Sequence, residues 1–340
     1  MDLGKILKNN RSILIIASRP LDLDCLGSGL ILKKYLEHLG KDVRLFFPKE
    51  MTKEEKKRHS WLPYFDEVED QDTREILDRK NFEVLILLDG ANLVQFYDSS
   101  KTLDNPPNLD IYDKRIHIDH HTKIENLGTH TLHDPKAAAV AEIILTKVIP
   151  EGFIDKDIAT LGYAAVAGDT GNFRWNFSPK TLQLAARLLE RGADTLLFLD
   201  KYFFSKTRTY FEILAFAIEN TEYFDNLGTM ILFLPYEKLR AEGIGETKLR
   251  ELEKAFNDGF SRLVEDYPRG FMLYEEFPGK IRCSARGASL RNKINLPELL
   301  AEVGGSSGGH FHAAGLQIEG DFEEVKKFLL TALRKRLTRV

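Results

Sequence analysis

Residues 12–29 read SILIIASRPLDLDCLGSG, an apolar run that breaks at a proline and restarts as a helix. The stretch from Ser12 to Ala17 has the character of a buried strand, and the helix pattern runs from about Leu26 to Leu39, ending at Gly40. Between them stand two carboxylates, Asp22 and Asp24, with Arg19 as the nearby cation. Like charges at the end of a buried strand repel unless a cation joins them. A lone aspartate after a strand is usually a helix N-cap, so Asp22 taken singly has that ordinary explanation.

Outward from this stretch, Asp42–Phe47 reads as the next strand and Phe82–Leu88 (FEVLILL) as a central parallel one. Arg115–Ile118 is a short strand, and Ala137–Val148 an alanine-rich helix. Strands alternating with helices predict an α/β domain with a parallel sheet flanked by helices. After Pro179 the pattern turns helical as far as Tyr223, interrupted at Gly192-Ala-Asp194. Strands follow at Gly228–Leu234, Gly270–Glu275 and Lys280–Ala285, with helices near Gly245–Phe256 and Leu296–Val303. The expected organisation is a parallel-sheet domain over 1–185, a helical connector over 186–225 and a smaller α/β domain over 226–340.

A length of 340 residues agrees with two domains. With 43% apolar and 29% charged residues the composition is that of a globular protein. A net charge of −4 argues against a broad basic track for long duplexes and leaves short nucleotides open. Cys25 and Cys283 have no CxxC spacing, so neither a disulfide framework nor a zinc knuckle is expected. The apolar run Ile13–Ala17 is too short for a signal h-region or a membrane span, and a cytoplasmic protein with no membrane partner is the simplest expectation.

In open parallel sheets, ligands gather beyond the carboxyl ends of the strands. Asp22, Asp24, Asp89, the run Asp119-His120-His121, and Asp169 each follow an apolar run. Their convergence would require a cation. Oxygen-rich ligation with one or two imidazoles suits Mn2+ or Mg2+, with Fe or Co as substitutes. Carboxylates bridging two ions would suggest phosphate-ester hydrolysis. A second constellation lies near the C-terminus: a glycine-rich stretch, Gly304 to Gly315, that could cradle an anion with backbone N–H groups. Upstream, Arg282, Ser284 and Arg286 alternate onto one strand face, and Arg286 suits bidentate contact with phosphate.

LDLDCLGS, the Asp89 strand end, IDHH, GDTGNF and GGHFHAAG occur in the order and approximate spacing of the DHH/DHHA1 phosphoesterase superfamily. Within it the chain resembles the nanoRNase/pAp-phosphatase (bifunctional oligoribonuclease) group, from about residue 10 to 330. The resemblance implies a DHH domain holding Mn2+, one or two ions, with Mg2+ or Co2+ as substitutes. It also implies a DHHA1 domain that binds the nucleotide end of the substrate, with the active site in the cleft between the domains. Carried over by motif, Asp22 would bind the first ion and Asp24 the second, with Asp89 bridging and His120 and Asp169 completing the second site. Asp119 would support the neighbouring histidine, and His121 would face the scissile phosphate. Arg286 and His310, with the backbone of Gly308 and Gly309, would grip the substrate's phosphate or adjoining nucleotide. The implied reaction is hydrolysis of short RNA or DNA oligonucleotides, dinucleotides or 3′-phosphoadenosine 5′-phosphate (pAp) by water activated at the ions. Members of the family often dimerise, which implies a homodimer, although nothing in this chain identifies an interface.

The chain departs from the family pattern at Ser18, where a histidine normally ligates the first ion; Cys25 stands where alanine is usual. Two readings therefore compete with the exonuclease. One is a cyclic- or linear-dinucleotide phosphodiesterase built from the same parts. The other is a nucleotide-binding regulatory protein whose catalysis is impaired at Ser18.

Overall fold

The computed structural model describes residues 3–98 and 106–337. The chain divides into two compact units between Ser205 and Lys206. The segment expected as a connector is shared between them: Leu188 and Phe198 belong to the core of the first unit, Ile213 and Ala217 to a core of the second.

The first unit is built on six strands, β1 (Ser12–Ala17), β2 (Asp42–Phe47), β3 (Val68–Asp70), β4 (Val84–Leu88), β5 (Lys114–Asp119) and β6 (His130–His133). Their order is β3-β2-β1-β4-β5-β6, and every pairing is parallel. Alternate residues of β1 feed two cores. Ile13, Ile15 and Ala17 pack with the helices Leu23–His38, Val140–Lys147 and Lys156–Asp169, while Leu14 and Ile16 pack with Leu85, Leu87 and Phe96. Burial on both faces explains the unbroken apolar run. Each such Leu or Ile contributes about 1.5–3 kcal/mol over leaving it exposed. Strand order reverses at β1, which has β2 on one side and β4 on the other. This switch point opens a crevice beyond the strands' carboxyl ends.

The apolar run Leu161–Ala167 is helical, part of Lys156–Asp169, so Asp169 ends a helix rather than following a strand. Alanine at 164, 165 and 167 favours helix over strand. Gly162 and Gly168 let the helix approach Leu145 and Leu23 closely.

The second unit has a mixed sheet of β7 (Thr221–Phe224), β8 (Thr229–Leu234), β9 (Arg269–Phe277), β10 (Lys280–Gly287), β11 (Ser306–His310) and β12 (Ala313–Glu319). Its order is β11-β12-β10-β9-β8-β7, parallel at β8–β9 and antiparallel elsewhere. Ile281, Cys283 and Ala285 of β10 face a core completed by Leu296, Leu299, Leu300, Leu329 and Leu333. The whole chain is thus α/β, with a parallel-sheet N-terminal unit and a smaller C-terminal unit on a separate sheet. Arg336 at the end of the last helix pairs with Glu298 and Glu302, and Lys335 with Glu302, which ties that basic tail to its neighbours. Among the described residues no helix is long and apolar enough to cross a membrane.

Candidate metal centre

The chain turns after β1 at Ser18, whose N–H donates to Leu88 at 3.1 Å and whose hydroxyl donates to the carbonyl of Asp89. Ser18 is buried against Gly90, where an added Cβ would lie 2.9 Å from the serine Cβ. Asp22 caps the helix Leu23–His38, Oδ1 accepting from Cys25 N at 2.8 Å.

Asp24 lies in the first turn of that helix and is buried. Its Oδ1 accepts from Ser28 Oγ at 2.8 Å and Ala141 N at 2.9 Å, and its Oδ2 from Val140 N at 2.6 Å. Helix Val140–Lys147 has no side-chain cap from its own N-cap residue, Ala139. Asp24 supplies that cap from another element, meeting both the free N–H groups and the positive end of the helix dipole.

Asp89 follows β4 in a left-handed conformation, φ 60°, and its N–H donates to Ile118 at 3.0 Å. Its Oδ1 is buried and receives no hydrogen bond. Asp119 ends β5, fully buried, with Oδ1 accepting from His121 N at 2.5 Å and His121 Nδ1 at 2.9 Å. Next to it, His120 turns Nδ1 toward the Ala137 carbonyl at 3.3 Å. That contact assigns the proton to Nδ1 and leaves the Nε2 lone pair outward. Nε2 stands 3.5 Å from Asp89 Oδ1 and 3.3 Å from Asp169 Oδ2. Ligands at right angles on an ion with bonds of about 2.1 Å lie roughly 3 Å apart, so these atoms are close to coordination spacing.

Among the described residues two trios of ligand atoms converge, Asp24–His120–Asp169 and Asp89–His120–His121. Asp22 belongs to neither. Electrostatics point the same way as the geometry. Burial first, and the charge of Asp24 next, push Asp22 and Asp169 above the usual carboxylate range, and Asp169 well above it. Asp89 is likewise pushed well up by burial, then by Asp24, Asp22 and Asp119. Burial opposes the charged form of His120, but Asp169 and Asp24 outweigh it and raise the imidazole. Asp119 goes down despite its burial, because His117 and His121 hydrogen-bond its charged form. A divalent cation among Asp24, Asp89, His120 and Asp169 would remove the penalty that these like charges incur. An acceptor-only oxygen without a donor at Asp89 is what a cation requires. The residues fit such an ion.

In the second unit Arg286 Nη1 donates to the Ala285 carbonyl at 2.9 Å and reaches Ser284 Oγ at 3.4 Å. Burial lowers its pKa, and among the described residues no carboxylate lies within ion-pair distance. Arg282 on the same face does have one, Glu276 at 3.1 Å. The glycine-rich stretch expected as a cradle is an edge strand, β11, paired to β12. Ala313 of β12 pairs with Arg286 on one side and His310 on the other, so the three share one cross-strand row. Gly309 has φ 133°, and a Cβ there would meet the Ala313 carbonyl at 2.2 Å; the backbone at Gly308 is open. The role expected of the His310 side chain falls outside the described part of the structure.

Residues 12–166 match the DHH family, N-terminal domain, and residues 251–338 match the DHHA1 domain. It is a DHH/DHHA1 protein. The bifunctional oligoribonuclease and PAP phosphatase NrnA of Thermus thermophilus is 28% identical over 228 residues, 66% of this chain and 65% of that protein. A membrane protein–large ribosomal subunit bL9 fusion protein of Aster yellows witches'-broom phytoplasma is 23% identical over 341 residues, 94% of this chain. The DHH/DHHA1 chain spans only 36% of that relative. A crystal structure of an exopolyphosphatase-related protein from Bacteroides fragilis has the same fold, with a TM-score of 0.79 at 21% identity, covering 99% of this chain and 96% of that one.

Sequence reasoning missed the residues that orient the ligands. The Ala137 carbonyl and the Val140 and Ala141 N–H groups act through backbone, which no side chain announces. Trp175 had a signal: its indole N–H donates to the Asp169 carbonyl at 2.9 Å, and its ring lies over Gly171, where a Cβ would sit 2.0 Å from it. A glycine four residues before a tryptophan, just after a candidate ligand, was the readable clue.

Proposed function

We propose that this chain is a divalent-metal-dependent phosphodiesterase that hydrolyses short oligonucleotides to mononucleotides, with pAp as a second substrate. Asp24, Asp89, His120 and Asp169 hold the ion. Carboxylates with one imidazole suit Mn2+, and Mg2+ or Co2+ as substitutes. When bound, the ion supplies Lewis-acid stabilisation of the phosphoryl oxygens and a more acidic water.

The chain's own residues supply position. Asp119 accepts from His121 Nδ1 and fixes the ring, so that Nε2 is the atom presented to the phosphate. Ser18 ties the end of β1 to the Asp89 carbonyl, holding the two strand ends that frame the crevice. In the second unit Arg286, partly buried and with no carboxylate within ion-pair distance among the described residues, is suited to a phosphate, and the uncrowded backbone at Gly308 leaves room for one. A single recognised phosphate end favours very short substrates, and the acidic net charge agrees with that.

The observation that supports this reading most is the convergence of the donor-free Asp89 Oδ1 and Asp169 Oδ2 on one imidazole nitrogen. The test is a Mn2+ titration with labelled di- to pentanucleotides, pAp and cyclic di-AMP in parallel. Turnover of di- to pentanucleotides supports the proposal. Nucleotide binding without turnover of any substrate at millimolar Mn2+ sinks it in favour of a regulatory protein, and turnover of cyclic di-AMP alone moves it to the dinucleotide enzyme.

A further inference from the structure

The proposed function leaves open how many ions the centre takes, and the donor arrangement bears on that number. Both ligand trios contain His120. Its Nδ1 is engaged by the Ala137 carbonyl, so both trios depend on the same Nε2 lone pair. One lone pair serves one ion. The two trios therefore compete for that nitrogen, Asp24 and Asp169 from one side and Asp89 with His121 from the other, and one ion at a time can use it.

A second ion would have to be held on the side of Ser18 and Asp22, and neither side chain is disposed to do so. The Ser18 hydroxyl donates its proton to the Asp89 carbonyl and is a neutral, weak ligand. Asp22 spends Oδ1 on its helix cap and joins no trio among the described residues. The remaining negative charge is largely met by hydrogen-bond donors. Asp24 accepts three hydrogen bonds, from Ser28, Val140 and Ala141. Asp119 accepts two from His121. Asp89 Oδ1 and Asp119 Oδ2 are buried without a hydrogen bond, and of the carboxylates it is Asp89 and Asp169 that face His120 Nε2, at 3.5 and 3.3 Å.

We infer that this chain holds a single divalent ion, at His120 Nε2 with Asp24, Asp89 and Asp169, and that the Ser18–Asp22 side takes none. The inference rests on the proposed metal dependence but goes beyond it, because a DHH crevice with one ion must orient its substrate differently from one with a pair.

The test counts ions rather than activity. Full-length chain, stripped with chelator, is dialysed against micromolar Mn2+, and bound metal is measured together with the electron paramagnetic resonance spectrum. The expected result is one Mn2+ per chain with the signal of an isolated ion. Asp22→Asn keeps a good N-cap and should leave both the count and the affinity within about threefold of wild type. Asp169→Asn should weaken binding by more than about 100-fold, beyond the ~10–100-fold seen when a supporting group is lost. Two ions per chain with an exchange-coupled spectrum would overturn the inference and leave the phosphodiesterase reading standing. No bound ion even at millimolar Mn2+ would overturn both.

Discussion

The two sheets solve opposite recognition problems. In the parallel sheet of the first unit, acidic and imidazole groups come from four separate places: the helix after β1, the end of β4, the end of β5 and the C-terminus of helix Lys156–Asp169. Topology brings the first three together, since parallel strands all end on one side, and Asp169 joins them from the end of a helix. In the mixed sheet of the second unit, the candidate site is one cross-strand row, Arg286–Ala313–His310, and depends on register. The first cluster has negative charge in excess and calls for a cation. The second has a guanidinium with no carboxylate within ion-pair distance among the described residues, and calls for an anion. A metal-dependent enzyme acting on phosphate esters needs both, so the difference separates chemistry from grip, and substitutions should separate them too.

The largest effect is expected from Asp89→Ala. It removes the donor-free oxygen at the centre of the first cluster, and kcat/KM should fall by well over 100-fold, more than the loss of a supporting group. The fall should appear in kcat. Activity within tenfold of wild type would refute the assignment of the first unit to chemistry. Arg286→Ala comes next. One charge-assisted hydrogen bond to phosphate is worth about 1.5–3 kcal/mol, or roughly 10–150-fold, and this should appear in KM with kcat nearly unchanged. Lysine at 286 should rescue only in part, because it lacks the planar fork. If Arg286→Ala lowered kcat instead, the division of labour between the two sheets would be wrong.

The same contrast explains what was legible in the sequence. Asp89 and Asp119-His120-His121 could be placed without a structure because each follows a strand readable from its apolar run, and a parallel sheet sends all such ends to one side. β1 and β2 carry the same residues in sequence and structure, Ser12–Ala17 and Asp42–Phe47. Asp169 was found for an incomplete reason, since its apolar run is helix, and short apolar runs do not distinguish the two. Asp22 illustrates the limit. The motif implies a ligand, and the structure adds a local role that the motif does not convey, Oδ1 capping the helix, with Asp22 outside both trios. The glycine-rich run reads as an anion cradle rather than a strand because glycine disfavours strands. Its strand β11 is an edge held by pairing to β12, and such pairing between distant residues leaves no local trace. Side-chain periodicity carries no information about backbone donors either, which is why the cap that Asp24 gives to Val140 and Ala141 was invisible.

Smaller effects probe how firmly the first cluster is held. Trp175→Phe keeps the ring over Gly171 and deletes the N–H bonded to the Asp169 carbonyl. A neutral hydrogen bond nets about 1 kcal/mol, so Mn2+ affinity should weaken by about fivefold, measured by titration calorimetry, with no matching change in phosphate affinity. An equal loss of both would mean that Trp175 acts only on stability.

The smallest effect is a pH dependence of the metal-free chain. Asp89 and Asp169 have folded-state values raised by burial and then by neighbouring carboxylates. A carboxyl with a folded value above its unfolded value, about 3.9, favours the fold in its protonated form. Stability from these two groups therefore declines as pH rises from the unfolded value through the raised folded one. Asp119, which is lowered, acts oppositely, but its contribution is lost only in strong acid, below this window. The metal-free melting temperature should thus fall as pH rises above the unfolded carboxyl value of about 3.9, and Asp89→Asn, a mimic of the protonated carboxyl, should flatten that fall. Mn2+ should reverse the trend, because the ion binds the ionised carboxylates and its stabilisation grows with pH. Arg286→Ala is the control from the other sheet, and it should leave the slope unchanged. A slope that Asp89→Asn leaves as it was would show that the charge conflict lies outside this cluster.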